Sequence, residues 1–282
     1  MPDSNLDPPV ARRGSLLVFF LAAYALMWAC FFTVVAAKIP AQTPLGALLL
    51  YLGTFAPSLS ALWLTAQFEG RAGVLALLGR IGRWDVGWQY YLFAISYIAV
   101  IKLTAALIHR VAAGAWPRFG TEAWYVMVGA IMISTPVQSG EEVGWRGYAL
   151  PRLAARFGWA WASILLGLIW AFWHLPQFFI PEADTYGQSF LIFVLQVTAM
   201  SVAMAWLYIR TNGSLLLTML MHAAVNNTKD IVPSTVPGAT NSFGLSASLV
   251  AWITVTLLWI CAVCFLAKMP RSTVIRSYLI NG

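Results

Sequence analysis

Gln138-Ser-Gly-Glu141-Glu142-Val-Gly-Trp145-Arg146-Gly-Tyr-Ala-Leu-Pro-Arg152 sets two adjacent carboxylates inside a chain that is otherwise close to continuously apolar. Charged groups in or beside a membrane span are costly, so they are usually paired, turned inward and functional. Arg146 lies four residues beyond Glu142, which puts the two on one helical face as an ion pair. Glu141 points about 100° away and keeps no cation of its own. An acid left unpaired where water is scarce is suited to exchanging protons with a bound reactant. The rest of the chain reads as what surrounds Glu141.

Hydrophobic residues make up 60% of the 282 and charged residues only 10%, with a mean hydropathy of +0.76. No soluble domain of this size needs so apolar a surface, so the solvent is a lipid bilayer and the fold class is an all-α polytopic membrane protein. The net charge of +7 does not point to nucleic acid, because the basic residues stand singly at the ends of apolar runs. Cys30, Cys261 and Cys264 all fall within apolar runs and read as buried, inert thiols. The first apolar run is about as long as a full span and carries no clear small-residue cleavage site, so a cleavable signal peptide is not expected.

Residues 1–14 are polar, carry Pro8 and Pro9, and read as a disordered cytoplasmic tail, with a second tail at 271–282. Between them a single transmembrane domain is expected over 15–270. A span needs roughly 20 residues. Eight are expected, near 15–37, 44–67, 88–111, 122–144, 158–180, 188–209, 213–229 and 245–267. Between the second and third, Arg71 to Trp84 alternates basic and apolar residues in a way that suits a short helix lying in the interface; a plain connector is the other reading. With the N-terminus inside, twelve of the seventeen Lys and Arg fall on the cytoplasmic side and four on the other. Both termini are therefore expected in the cytoplasm. Lys102 is left within a span, either snorkelling to the surface or holding a functional partner.

Two of the three histidines also fall in spans: His174, in Trp170-Ala-Phe-Trp-His174-Leu-Pro176, and His222, in His222-Ala-Ala-Val-Asn226. Asn226 projects from the same helix face as His222, and Trp170, four before His174, can wall one side of a site. A tight turn near Phe157-Gly158 would set Glu141 and His174 at one level, with a mismatch of roughly 3 Å. His222 and Asn226 lie about 13 and 19 Å along the seventh span, near the same depth. Pro136 should break the fourth helix and admit water to Glu141; Pro176 either does the same or ends the fifth.

Glu141-Glu142-x-x-x-Arg146-Gly147, Trp170-x-x-x-His174 and His222-x-x-x-Asn226 resemble the three motifs of the CPBP intramembrane protease family. That family includes type II CAAX prenyl endopeptidases and Abi-like bacteriocin-processing or self-immunity proteins. The resemblance covers a protease-like core over 122–229, and Trp170 stands where the family usually has Phe. It implies eight helices around a membrane-embedded catalytic chamber opening to the cytoplasm. It further implies an intramembrane endopeptidase in which Glu141 and His174 activate water, Glu142 and Arg146 brace Glu141, and His222 with Asn226 hold the scissile carbonyl. Trp170 and Gln138 would contact substrate. The partner implied is a membrane-anchored protein or peptide, prenylated at its C-terminus where prenylation exists. The Ala- and Trp-rich chain suggests a bacterial cell membrane.

Two readings of the water chemistry stand. Glu141, His174 and His222 suffice for a two-His, one-carboxylate Zn2+ set with an open position. Direct activation by Glu141 and His174 uses the same residues without an ion, and neither H-E-x-x-H nor a spare carboxylate base is present. Two further function classes also stand. A non-proteolytic immunity or chaperone-like binding protein would share the motifs, and a proton-coupled transporter would share the buried charges, though no inverted repeat supports it.

Overall fold

The computed structural model describes residues 13–232 and 248–270. Apart from Arg13 and Gly14, both predicted tails lie outside the described residues, which form helices and no strand. A backbone in hydrocarbon must satisfy its own polar groups, and a helix does so within one segment. The helices are α1 (Arg13–Ala36), α2 (Pro44–Thr54), α3 (Ala56–Gly79), α4 (Trp88–Ala113), α5 (Trp124–Ser134), α6 (Ser139–Glu142), α7 (Leu150–Trp173), α8 (Phe190–Arg210), α9 (Leu215–Thr228) and α10 (Leu249–Ala267). Four of them begin at side-chain caps: Thr43, Ser189, Ser214 and Ser248 each accept from a backbone N–H three residues on.

The expected eight apolar stretches all become helical segments, of unequal length. Among the described residues five helices are long and apolar enough to cross a bilayer, or six if α2 and α3, bent by 53°, count as one. The fourth stretch falls short because Pro136 ends α5 after 11 residues, in a 3-10 turn over Pro136–Gln138. Thr135 Oγ1 donates to the Ile131 carbonyl at 2.7 Å, which also accepts the Thr135 backbone N–H at the end of α5. The seventh, α9, has 14 residues.

Within α7 the one break is Gly158, with φ 75° and ψ 160°. That conformation is essentially reserved for glycine. Here the chain doubles back. Trp170 Nε1 lies 2.7 Å from Glu141 Oε2 across 29 residues, a separation that would be about 43 Å along an unbroken helix. The turn expected near Phe157-Gly158 is therefore present, and it brings the second motif level with the first.

α3 breaks similarly at Gly70, so that 71–79 forms a helix of its own. The short helix expected there exists, and it is docked: Leu77 is buried, and Arg80 Nη1 donates to the Gly147 carbonyl (3.1 Å) and the Tyr208 hydroxyl (2.9 Å). The α2–α3 corner closes on the acid-bearing segment from one side. A Cβ on Gly144 would stand 2.5 Å from the Pro57 carbonyl carbon, so only glycine allows that approach. On the other side α7 packs on α8, where Ser201 Oγ donates to the Ser163 carbonyl at 2.9 Å. Small side chains and interhelical hydrogen bonds of this kind hold helices together where lipid supplies no hydrophobic drive.

Two expectations need correction. Cys30 is buried, but Cys261 is only half-buried and Cys264 is exposed, because α10 turns one face outward. Lys102 does not snorkel: it is 5% exposed and donates to the Val232 carbonyl at 3.3 Å, inside the bundle.

Candidate active site

The acid pair ends the four-residue α6, and the seven residues that follow, Val143–Ala149, form a π-helical turn buried throughout. Such turns recur at functional sites. Each glutamate meets the side chain four residues ahead. Arg146 Nη1 donates to Glu142 Oε1 at 2.8 Å, with both side chains fully buried. Trp145 Nε1 stands 3.4 Å from Glu141 Oε2. The guanidinium therefore goes to Glu142, as the spacing required, and Glu141 keeps no cation.

α7 brings Trp170 and His174 to Glu141. The Trp170 indole N–H donates to Glu141 Oε2 at 2.7 Å, while its ring face carries the Arg146 guanidinium at 4.2 Å from the centroid. His174 Nδ1 lies 2.8 Å from the Trp170 carbonyl, an acceptor only. The Nδ1 must therefore hold the proton, and in the neutral ring Nε2 carries the lone pair. That Nε2 faces Glu141 Oε2 across 4.0 Å. Among the described residues Glu141 Oε1 accepts no hydrogen bond.

α9 delivers the third motif with one difference. His222 Nδ1 lies 2.9 Å from Glu142 Oε1, so this histidine pairs with the braced acid and not with Glu141. Glu142 Oε1 thereby joins Arg146 to His222. Trp170 lies edge-on to both imidazoles, at 5.6 Å from His174 and 5.2 Å from His222. Asn226, one turn on, is exposed.

A cavity of about 460 Å³ runs along this cluster. Glu141, His174 and His222 form its deep end, Gln138 and Trp170 border it, and Asn226 stands nearer its exposed rim with Asp184 and Lys229. Every residue singled out from sequence except Glu142 and Arg146 thus lines one space, and those two lie directly behind it. The sequence reading missed Trp145 and Met204, whose Sδ receives Arg146 Nη2 at 3.3 Å. Trp145 could have been found by the four-residue rule that found Arg146. Met204 sits on another helix and gave no signal.

The zinc set does not assemble. Among the described residues no three His, Cys, Asp or Glu side chains are grouped so as to hold a metal ion. As placed, these residues do not fit a bound Zn2+.

The fold and site together define an all-helical membrane protein with an acid–histidine pair buried at the end of an internal cavity. Residues 120–228, the segment that carries all three motifs, match the family model of type II CAAX prenyl endopeptidase Rce1-like proteins. A relative from Methanococcus maripaludis, CAAX prenyl protease 2, is 32% identical over 101 residues. That match covers 34% of this chain and 37% of the relative, so the chain spans little more than a third of the relative's length. The family resemblance carried by the motifs holds over this segment.

Proposed function

We propose that the protein is an intramembrane endopeptidase that hydrolyses a peptide bond of a membrane-associated substrate. The observation that carries this is the pairing of Glu141 with His174 across 4.0 Å at the end of a cavity, with the neighbouring cation committed elsewhere. One water spans such a gap at hydrogen-bonding distance from both groups. Glu141 takes a proton from that water as it attacks the carbonyl carbon of the scissile bond, and His174 Nε2 orients it. The proton then passes to the departing amine nitrogen as the C–N bond breaks.

Negative charge develops on the carbonyl oxygen during attack and needs donors already in place. Asn226 offers a neutral amide N–H on the cavity wall. His222, with Nδ1 held by Glu142, offers Nε2–H when its ring carries both protons. Glu142 and Arg146 act through others: they fix His222 and the floor beneath Trp170.

Acting on water directly, Glu141 and His174 need no ion, so a strong chelator should leave cleavage unchanged. Loss of activity restored by zinc alone would reverse that expectation. A prenylated CaaX-type peptide is the first substrate to try, given the name of the Methanococcus relative. Purified protein in liposomes should cut such a peptide or another membrane-anchored one, and Glu141→Gln should abolish cutting. Undiminished activity in that variant would sink the assignment. We place the protein in a bacterial cell membrane with both termini in the cytoplasm, which reporter fusions at either end would test.

A further inference from the structure

The basic residues and the rim of the cavity lie at opposite ends of the bundle. Arg152 pairs with Glu69, Arg83 donates to the Asn212 carbonyl, and Arg210 Nε donates to the Tyr90 hydroxyl at 3.2 Å. Lys268 adjoins Met269, which Ser163 Oγ approaches at 3.9 Å. These contacts gather Arg71, Arg80, Arg83, Arg152, Arg156, Arg210 and Lys268 at one end, against the acids Glu69 and Asp85. At the other end Lys38, Arg110, Arg118 and Lys229 are interspersed with Glu122, Glu182 and Asp184. The second end has almost no net charge, and Asp184 pairs there with Lys229.

The cavity belongs to that second end. Its deepest residues stop short of the basic face: Glu141 lies about 9 Å along its helix from Gly147, which Arg80 holds, and His222 about 12 Å from Ser214. The buried π turn fills the remaining depth. Towards the neutral end the lining continues through Asn226 on α9 and Lys229 just past it, and through Gln196 on α8 and Gln188 just before it. The exposed lining residues Asp184 and Asn226 are on this side. The polypeptide end richer in Lys and Arg stays in the cytoplasm.

We infer that the chamber is reached from the non-cytoplasmic face, and that its substrate is the extracytoplasmic, membrane-adjacent stretch of an anchored or exported polypeptide. This departs from the cytoplasmic opening that the family resemblance implied. The substrate rests on the peptidase reading above; the direction of access does not.

The full chain with Cys30, Cys261 and Cys264 replaced by Ala supplies the test. Single cysteines are added as Gln188→Cys at the rim, Gln196→Cys inside the cavity and Arg156→Cys on the basic face. Spheroplasts are then treated with a membrane-impermeant maleimide. Gln188→Cys and Gln196→Cys should label in sealed spheroplasts, and Arg156→Cys only after permeabilisation. The opposite pattern overturns the inference. So does Gln188→Cys labelling without Gln196→Cys, because rim and site would then not connect. Gel filtration in detergent confirms that each variant is folded. In right-side-out vesicles, an anchored peptide displayed outside should be cut and one displayed inside spared. If neither peptide is cut in either vesicle orientation, the peptidase reading fails while the labelling result stands.

Discussion

At Glu141 the two carboxylate oxygens have different surroundings. Oε2 is held by the Trp170 indole at 2.7 Å and approached by Trp145 at 3.4 Å, while Oε1 is left to the cavity. Trp170 does more than wall the site: its edge holds one acid, its face seats the cation of the other, and its carbonyl sets the His174 tautomer. Trp170→Phe keeps the face and the carbonyl and removes only the N–H. A hydrogen bond to a charged group is worth about 1.5–3 kcal/mol. Turnover of a cleaved peptide should therefore fall by about 10- to 100-fold with little change in KM. A rise in KM alone would make Trp170 a substrate contact instead. Arg146→Met tests the braced acid: it leaves Glu142 buried without its cation, at a cost of about 3–5 kcal/mol. Thermal unfolding in detergent would read that loss. The pairing of Glu142 with Arg146 was legible from spacing alone. The turn of His222 toward Glu142 was not, because it depends on how α9 is rotated against α6.

Two glycines shape the elements around the site for opposite reasons. Gly158 has open space about it, yet its φ of 75° excludes other residues. Gly158→Ala should cost about 1–3 kcal/mol through backbone strain alone. Gly144 lies in the π turn with no left-handed φ, and it has no room: a Cβ there meets the Pro57 carbonyl carbon at 2.5 Å. Gly144→Ala should push the α2–α3 corner off the acid pair, costing about 1–3 kcal/mol as overpacking and lowering activity more than Gly158→Ala does. Melting temperatures and cleavage rates of the two variants, measured side by side, would separate strain from displacement. The break at Pro136 and the reversal at Gly158 could be read from sequence, since proline and glycine punctuate apolar runs by known mechanisms. The π turn between them could not, because nothing in Val143–Ala149 distinguishes it from α-helix without its neighbours.

For the whole molecule, hydropathy announced the membrane and the apolar stretches, while the eight crossings it suggests stand beside five or six helices long and apolar enough among the described residues. Length along the sequence does not tell a span from a helix that stops halfway and folds inward, as α5 does. The clustering of basic residues at the ends of apolar runs could be read from sequence because charge at a helix end is a local property. The direction in which the cavity opens is a property of several segments together, and no motif encodes it.

The size of the cavity carries a consequence for whatever enters it. A helix with its side chains is about 10–12 Å across, and the cavity of about 460 Å³ beside Glu141 is walled by side chains from several helices. A helical guest would bring its carbonyls still tied to their own amides. A polypeptide must therefore unravel before a bond can be reached, and the ease of fraying becomes part of the selection. Gly or Pro placed next to the cut site should speed hydrolysis of an otherwise identical helical peptide, and a run of Ala and Leu there should slow it. Equal rates for the two peptides would mean that the guest arrives already extended.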